Sequence, residues 1–202
     1  MIKLYSEKKA ERILRRYAPQ LDAIAEKYAV PAECIKAILY MEITGIDLFD
    51  PLADLLARTN QLPGLGKAKR GGKLLEKSDS STGYGQIFAY VAIDAINLAA
   101  DSGAASYAEL GLPEDHRLDG AAMADLRLVW WRLLRDPVFN FTAVALNLRA
   151  SALEMTGRID FASYGAEELK LVLTRYNGNF KEVSPYGEAA YRHCLRYRAD
   201  EP

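Results

Sequence analysis

Apolar residues recur along most of the chain at spacings of three and four, the period of a helix face, and the two-residue alternation of strands is scarce. Proline and glycine punctuate the pattern. The periodicity predicts helices over about 6–17, 19–28 and 31–44, with Pro31 suited to the first helical position. Asp50-Pro51 opens a short helix carrying Leu52, Leu55 and Leu56, and further helices follow at about 88–100, 120–135, 137–156, 165–176 and 185–198. Between Asn60 and Gly85 lies a break rich in Gly and Lys, too long for a simple connector in a compact helical domain. The fold class read from this pattern is all-α.

One position breaks the pattern. Ile35, Ile38, Leu39 and Glu42 follow the i, i+3, i+4, i+7 spacing of a core-facing stripe, so a carboxylate stands where a hydrophobic residue belongs. Thr44 and Gly45 follow at once. Glycine is the usual residue just past a helix C-terminus, which places Glu42 in the last turn, beside the negative end of the macrodipole. Desolvation and dipole both favour the protonated acid. Such a group suits general-acid chemistry, cleavage of a glycosidic bond included. The plain alternative is a solvated Glu42 at the edge of the stripe.

With 202 residues, 50% hydrophobic and 26% charged, the chain is expected to form one domain, 1–202, with 1–16 as an N-terminal helical extension. The formal charge of −1 gives no field suited to nucleic acid. No window approaches a membrane span, and the amino terminus lacks the apolar run of a signal peptide. Cys34 and Cys194 lie far apart in helical segments and are expected as buried, reduced thiols.

Two turns carry further candidates. Ser80 to Ile87 contains Gly83-Tyr84-Gly85-Gln86, where the glycines permit positive φ and Gln86 offers a donor and an acceptor for a sugar. Taken alone it is also an ordinary tight turn. Tyr176-Asn177-Gly178 closes a helix, either as a sugar-facing cluster or as a C-cap.

The order of these segments resembles the lysozyme-like superfamily, in particular soluble lytic transglycosylases and goose-type lysozymes, over roughly Tyr17 to Tyr197. In that family a helix pair of the type Tyr, small residues, Val-Pro, Ile-x-Ala-Ile-Leu ends on the catalytic glutamate, here Glu42. The cleft turn resembles Gly83-Tyr84-Gly85-Gln86, the turn beside the glutamate resembles Tyr176-Asn177-Gly178, and 185–191 resembles the last helix. The resemblance implies a lysozyme-like helical domain with a Gly/Lys-rich cleft loop. It also implies cleavage of the β-1,4 bond between N-acetylmuramic acid and N-acetylglucosamine in peptidoglycan strands. No cofactor or metal is expected. Residues 43 and 44 are Ile and Thr where the transglycosylases usually have Ser after the glutamate, and Tyr84-Gly85 replaces Leu-Met. Goose-type lysozymes carry an aspartate ahead of a Gly-aromatic-Gly turn, and Asp79 stands in that place as a candidate water-activating base. Asp47, Asp50, Asp54 and Glu76 are further carboxylates, expected first as caps or surface charges.

Other motifs lead less far. His116 and His193 have no zinc spacing, Gly64-Leu65-Gly66-Lys67 lacks a preceding strand, and Lys67, Lys69, Arg70, Lys73 and Lys77 make the long loop basic. Trp130 and Trp131 fit a core or a sugar-stacking role. Peptidoglycan cleavage is thus the leading expectation, slightly toward the anhydro-forming branch. A non-catalytic glycan- or protein-binding domain and an unrelated helical interaction module are the alternatives. Action on the cell wall implies delivery by a non-classical route or as part of a larger protein.

Overall fold

Capping groups set the helix starts in the computed structural model, which describes residues 3–61, 77–178 and 180–199. Among the described residues there are nine α-helices and no β-strand. They are α1 (Glu7–Arg16), α2 (Ala18–Tyr28), α3 (Ala32–Gly45), α4 (Phe49–Asn60), α5 (Ala89–Asp101), α6 (Met123–Arg135), α7 (Pro137–Thr156), α8 (Ala166–Tyr176) and α9 (Pro185–Ala199). The all-α expectation holds. Ser6 accepts from the Lys9 N–H to open α1, and Asp136 accepts from Phe139 N–H ahead of Pro137 to open α7.

α7 is the axis of the core. Every residue from Phe139 to Leu148 is buried, as a helix that is apolar on nearly all sides must be. Around it pack α2, α5, α6 and α8, while α9 joins α3 to α8. The helix α1, expected as an extension, is built into the domain: Ala10 and Leu14 are buried against the core, and Glu11 accepts from Arg196 and Tyr197 of α9. Cys34 and Cys194 are buried free thiols on α3 and α9. A hydrogen bond from the Cys194 side, together with burial, pushes the Cys34 thiol well above its ordinary range. Among the described residues no helix is long and apolar enough to cross a membrane. Gly64-Leu65-Gly66-Lys67, Lys69, Arg70, Lys73 and Glu76 lie outside the described residues.

Candidate functional site

The end of α3 carries the acid. Its stripe is buried from Cys34 to Ile43, and Glu42 sits in the last turn, its carbonyl accepting from the Ile46 N–H at 3.1 Å. One expectation is corrected here: Gly45 is the last helical residue rather than the residue just past the helix, and Ile46 takes the capping position with φ of −54°. Thr44 does not stand in for the missing serine. Its hydroxyl donates back to the Tyr40 and Met41 carbonyls of its own helix. Orientation comes instead from α9, whose first turn presents Tyr186. The tyrosine hydroxyl donates to Glu42 Oε1 at 2.5 Å. Ser184 prepares that turn by accepting from the Gly187 N–H and donating to Thr174 of α8.

Burial pushes the Glu42 carboxyl up to about 7; the Tyr186 hydrogen bond opposes the rise and the charge of Asp50 adds to it. Tyr186 and Tyr176 are held well above the usual phenol range, by burial first and then by the Glu42 charge, so both remain hydroxyl donors.

A second wall is the turn 82–87. Thr82 and Ile87 exchange both backbone hydrogen bonds, closing Gly83-Tyr84-Gly85-Gln86 into a tight loop. The loop is fastened from outside. Asn140 of α7 accepts from the Gly85 N–H at 2.7 Å and donates to the Thr82 carbonyl at 3.2 Å, while Tyr176 donates to the Gly85 carbonyl at 2.6 Å. Glycine is required at both positions. A Cβ on Gly83, whose φ is +70°, would lie 2.3 Å from Asn140 Nδ2, and one on Gly85 would lie 2.4 Å from Val144 Cγ2. Gln86 adopts φ of 43°, an uncommon conformation for a residue with a side chain, and its amide donates to the Gly83 carbonyl.

These elements enclose a cleft of about 930 Å³, whose lining includes Glu42, Asp50, Gln86, Tyr176 and Asn177. Three segments far apart in sequence therefore meet at one groove. Phe88 and Tyr90 add aromatic faces, with ring centroids 5.6 Å apart, and Asn147 and Ser151 add polar groups. Among the described lining residues carboxylates outnumber cations: Asp94 and Glu154 join Glu42 and Asp50, against Arg175, which is paired with Glu154 at 2.8 Å.

Not every candidate reaches this groove. Gly83 and Tyr84 line a smaller adjoining chamber of about 270 Å³, which shares Ile46, Asp50 and Gln86 with the cleft. The Tyr84 ring stacks on Phe141. Asp79 is buried outside the cleft lining, and its two oxygens accept from the Ala89 and Tyr90 N–H groups at 3.1 and 3.0 Å. Its geometry is that of a cap on α5, away from the cleft in which a water-activating base was expected. Asp54 accepts from Ser80 and Thr82, Asp47 accepts from the Phe49 N–H, and Trp130 is buried with its indole N–H donating to Ser80. Trp131 is half-buried, with Arg58 and Arg135 set against its ring. Among the described residues no group of three or more His, Cys, Asp and Glu is placed to hold a metal ion.

Tyr186 and Asn140 were missed by sequence reasoning, because each matters through contacts across long stretches of chain, 144 residues for Tyr186 and 55 and 58 for Asn140. Phe88 and Tyr90 carried a weak signal, two aromatics directly after the Gly-Tyr-Gly-Gln turn. Comparison with known proteins adds no relative: no protein-family model matches the chain, and no curated protein or solved structure matches it either.

Proposed function

We propose that this protein is a lysozyme-like glycosidase that cuts the β-1,4 bond between N-acetylmuramic acid and N-acetylglucosamine in peptidoglycan, with Glu42 as the general acid. One observation carries the reading: a carboxyl raised to about 7 opens on a large groove together with Gln86, Tyr176 and Asn177, the residues that the family resemblance singles out. An acid titrating near neutrality is matched to proton donation at physiological pH. Glu42 Oε1 already accepts from Tyr186, so the acidic proton belongs on Oε2 and passes from there to the oxygen of the leaving sugar. Tyr186 then stabilises the carboxylate left behind, as a hydroxyl donor to a fresh negative charge. Gln86, Asn177, Asn147 and Ser151 supply amide and hydroxyl groups for the sugar's acetamido and hydroxyl substituents, and Phe88 and Tyr90 supply apolar faces.

Incubation of the protein with purified peptidoglycan, followed by mass spectrometry of the soluble fraction, tests this reading. Release of disaccharide-peptide fragments is expected. Sedimentation of the protein with the polymer and no released fragments would instead make the groove a glycan-binding site without turnover.

A further inference from the structure

Hydrogen bonds sort the other carboxylates of the cleft and of the segments beside it. Asp79 takes two backbone N–H groups, Asp54 takes two hydroxyls, and Glu154 is held by Arg175. Asp47 is buried and takes the Phe49 N–H. Asp94 is exposed in the second turn of α5. Asp50 is half-buried, is held by a single backbone N–H and pairs with no cation among the described residues. It lines the Glu42 cleft, its Oδ2 accepts from the Asp47 N–H at 2.7 Å, and its Oδ1 takes no hydrogen bond from the described residues.

The chain brings the two acids together locally. Glu42 occupies the last turn of α3, Asp50 the first turn of α4, and only residues 46–48 join the helices. Asp50 is also the carboxylate whose charge acts on Glu42. The helix that carries it buries Ala57 and half-buries Leu56 together with two carboxylates. α4 turns Asp50 and Asp54 toward the cleft and its adjoining chamber, while Leu52 and Leu55 are 46% and 56% exposed. Two half-buried carboxylates beside two exposed leucines run against the burial preference that organises the rest of the fold, and such violations concentrate at functional sites.

We infer that Asp50 is the second catalytic carboxylate of this site, the base that activates water for hydrolysis with inversion. The inference rests on the reading of Glu42 as the general acid. In the step, the water oxygen bonds to the anomeric carbon as one water proton passes to Asp50 Oδ1. The bond from that carbon to the bridging oxygen breaks, and its electron pair stays on the bridging oxygen, which takes the proton from Glu42. Exchange with solvent returns Asp50 to the carboxylate and Glu42 to the acid. Attack by water from the face opposite the leaving group inverts the anomeric centre. Products then carry ordinary reducing ends, against the slight leaning of the sequence toward anhydro ends.

The test is digestion of purified peptidoglycan in heavy-oxygen water, read by mass spectrometry and by NMR of the first-formed anomer, for the wild-type protein, Asp50→Asn and Glu42→Gln. Expected are one heavy oxygen at each new reducing end, initial release of the inverted anomer, and a loss of about a hundredfold or more in Asp50→Asn. Asparagine keeps an acceptor for the Asp47 N–H, so circular dichroism is expected to match the wild type. Should that variant fail to fold, the label and anomer of the wild-type products decide alone. Anhydro ends without label, retention of configuration, or a folded Asp50→Asn at wild-type rate would overturn the role of Asp50 while Glu42→Gln stays inert and the glycosidase reading stands. A wild-type protein that releases nothing overturns both.

Discussion

Glu42 and Asp79 are two acids set against helix ends, and they meet opposite fates. Asp79 stands ahead of α5 and takes the Ala89 and Tyr90 N–H groups, at the end where the free donors and the positive pole of the helix lie. Glu42 stands in the last turn of α3, where the free groups are carbonyls, and its side chain finds one donor, Tyr186. The first acid is absorbed into the scaffold. The second is left protonatable, with burial pushing it to about 7. Free N–H groups ahead of α5 take up one acid, while burial with a single donor leaves the other titratable near neutrality.

The largest effect expected from this contrast is on turnover. Glu42→Gln should lower peptidoglycan cleavage about a thousandfold, within the range a general acid supplies, with helical circular dichroism unchanged. A wild-type rate would break the comparison outright, since the end of α3 would then hold no chemistry.

Tyr186→Phe sharpens the same side. The proposed acid requires the wild-type rate to fall as pH rises through about 7. The Tyr186 hydrogen bond lowers the Glu42 value, so its removal should move that alkaline limb to higher pH and cost about tenfold in rate. A limb that stays in place would show that the tyrosine packs without tuning.

For Asp79→Ala the expected loss is in stability, about 1–2 kcal/mol, the usual cost of a lost cap, measured by denaturant melting. Its activity should follow the folded fraction. A fully folded variant without turnover would return Asp79 to the mechanism.

The last effect is thermal. Glu42 titrates at about 7 in the folded chain against 4.5 ordinarily, so between these values the folded state keeps a proton that the unfolded state releases. That contribution makes stability decline as pH rises from about 4.5 to about 7 and level off above. Glu42→Gln lacks it. Its melting temperature should therefore gain on the wild type with rising pH across this window, and parallel curves would contradict the raised value.

Periodicity made most of the helical frame legible. The expected 137–156 is α7 as observed, and 185–198 differs from α9 by a single residue at its end. α6 begins three residues later than expected, because Asp119 makes a turn of the preceding glycine and alanines, accepting from the Ala121 and Ala122 N–H groups. Within the site, Glu42 was legible because a charge in an apolar stripe is a local anomaly. Asn140 looked like any polar residue on a helix, and Tyr186 like any aromatic in a first turn. Nothing local announces a bond to a chain segment tens of residues away. Asp79 and Tyr84 were misplaced for the converse reason. The family resemblance made both candidates for the cleft, whereas the direction of the turn sends Asp79 to cap α5 and Tyr84 to stack on Phe141.

The bond between Glu42 and Tyr186 also orders events in time. The glutamate leaves the ribosome 144 residues before its partner, and the tyrosine that braces the 82–87 turn follows Gly85 by 91. Long-range closures of this kind come late, after the entropy of the intervening chain has been spent. A nascent or truncated chain thus carries its acid without the groove around it, and whatever the cleft does begins only when the last helix docks.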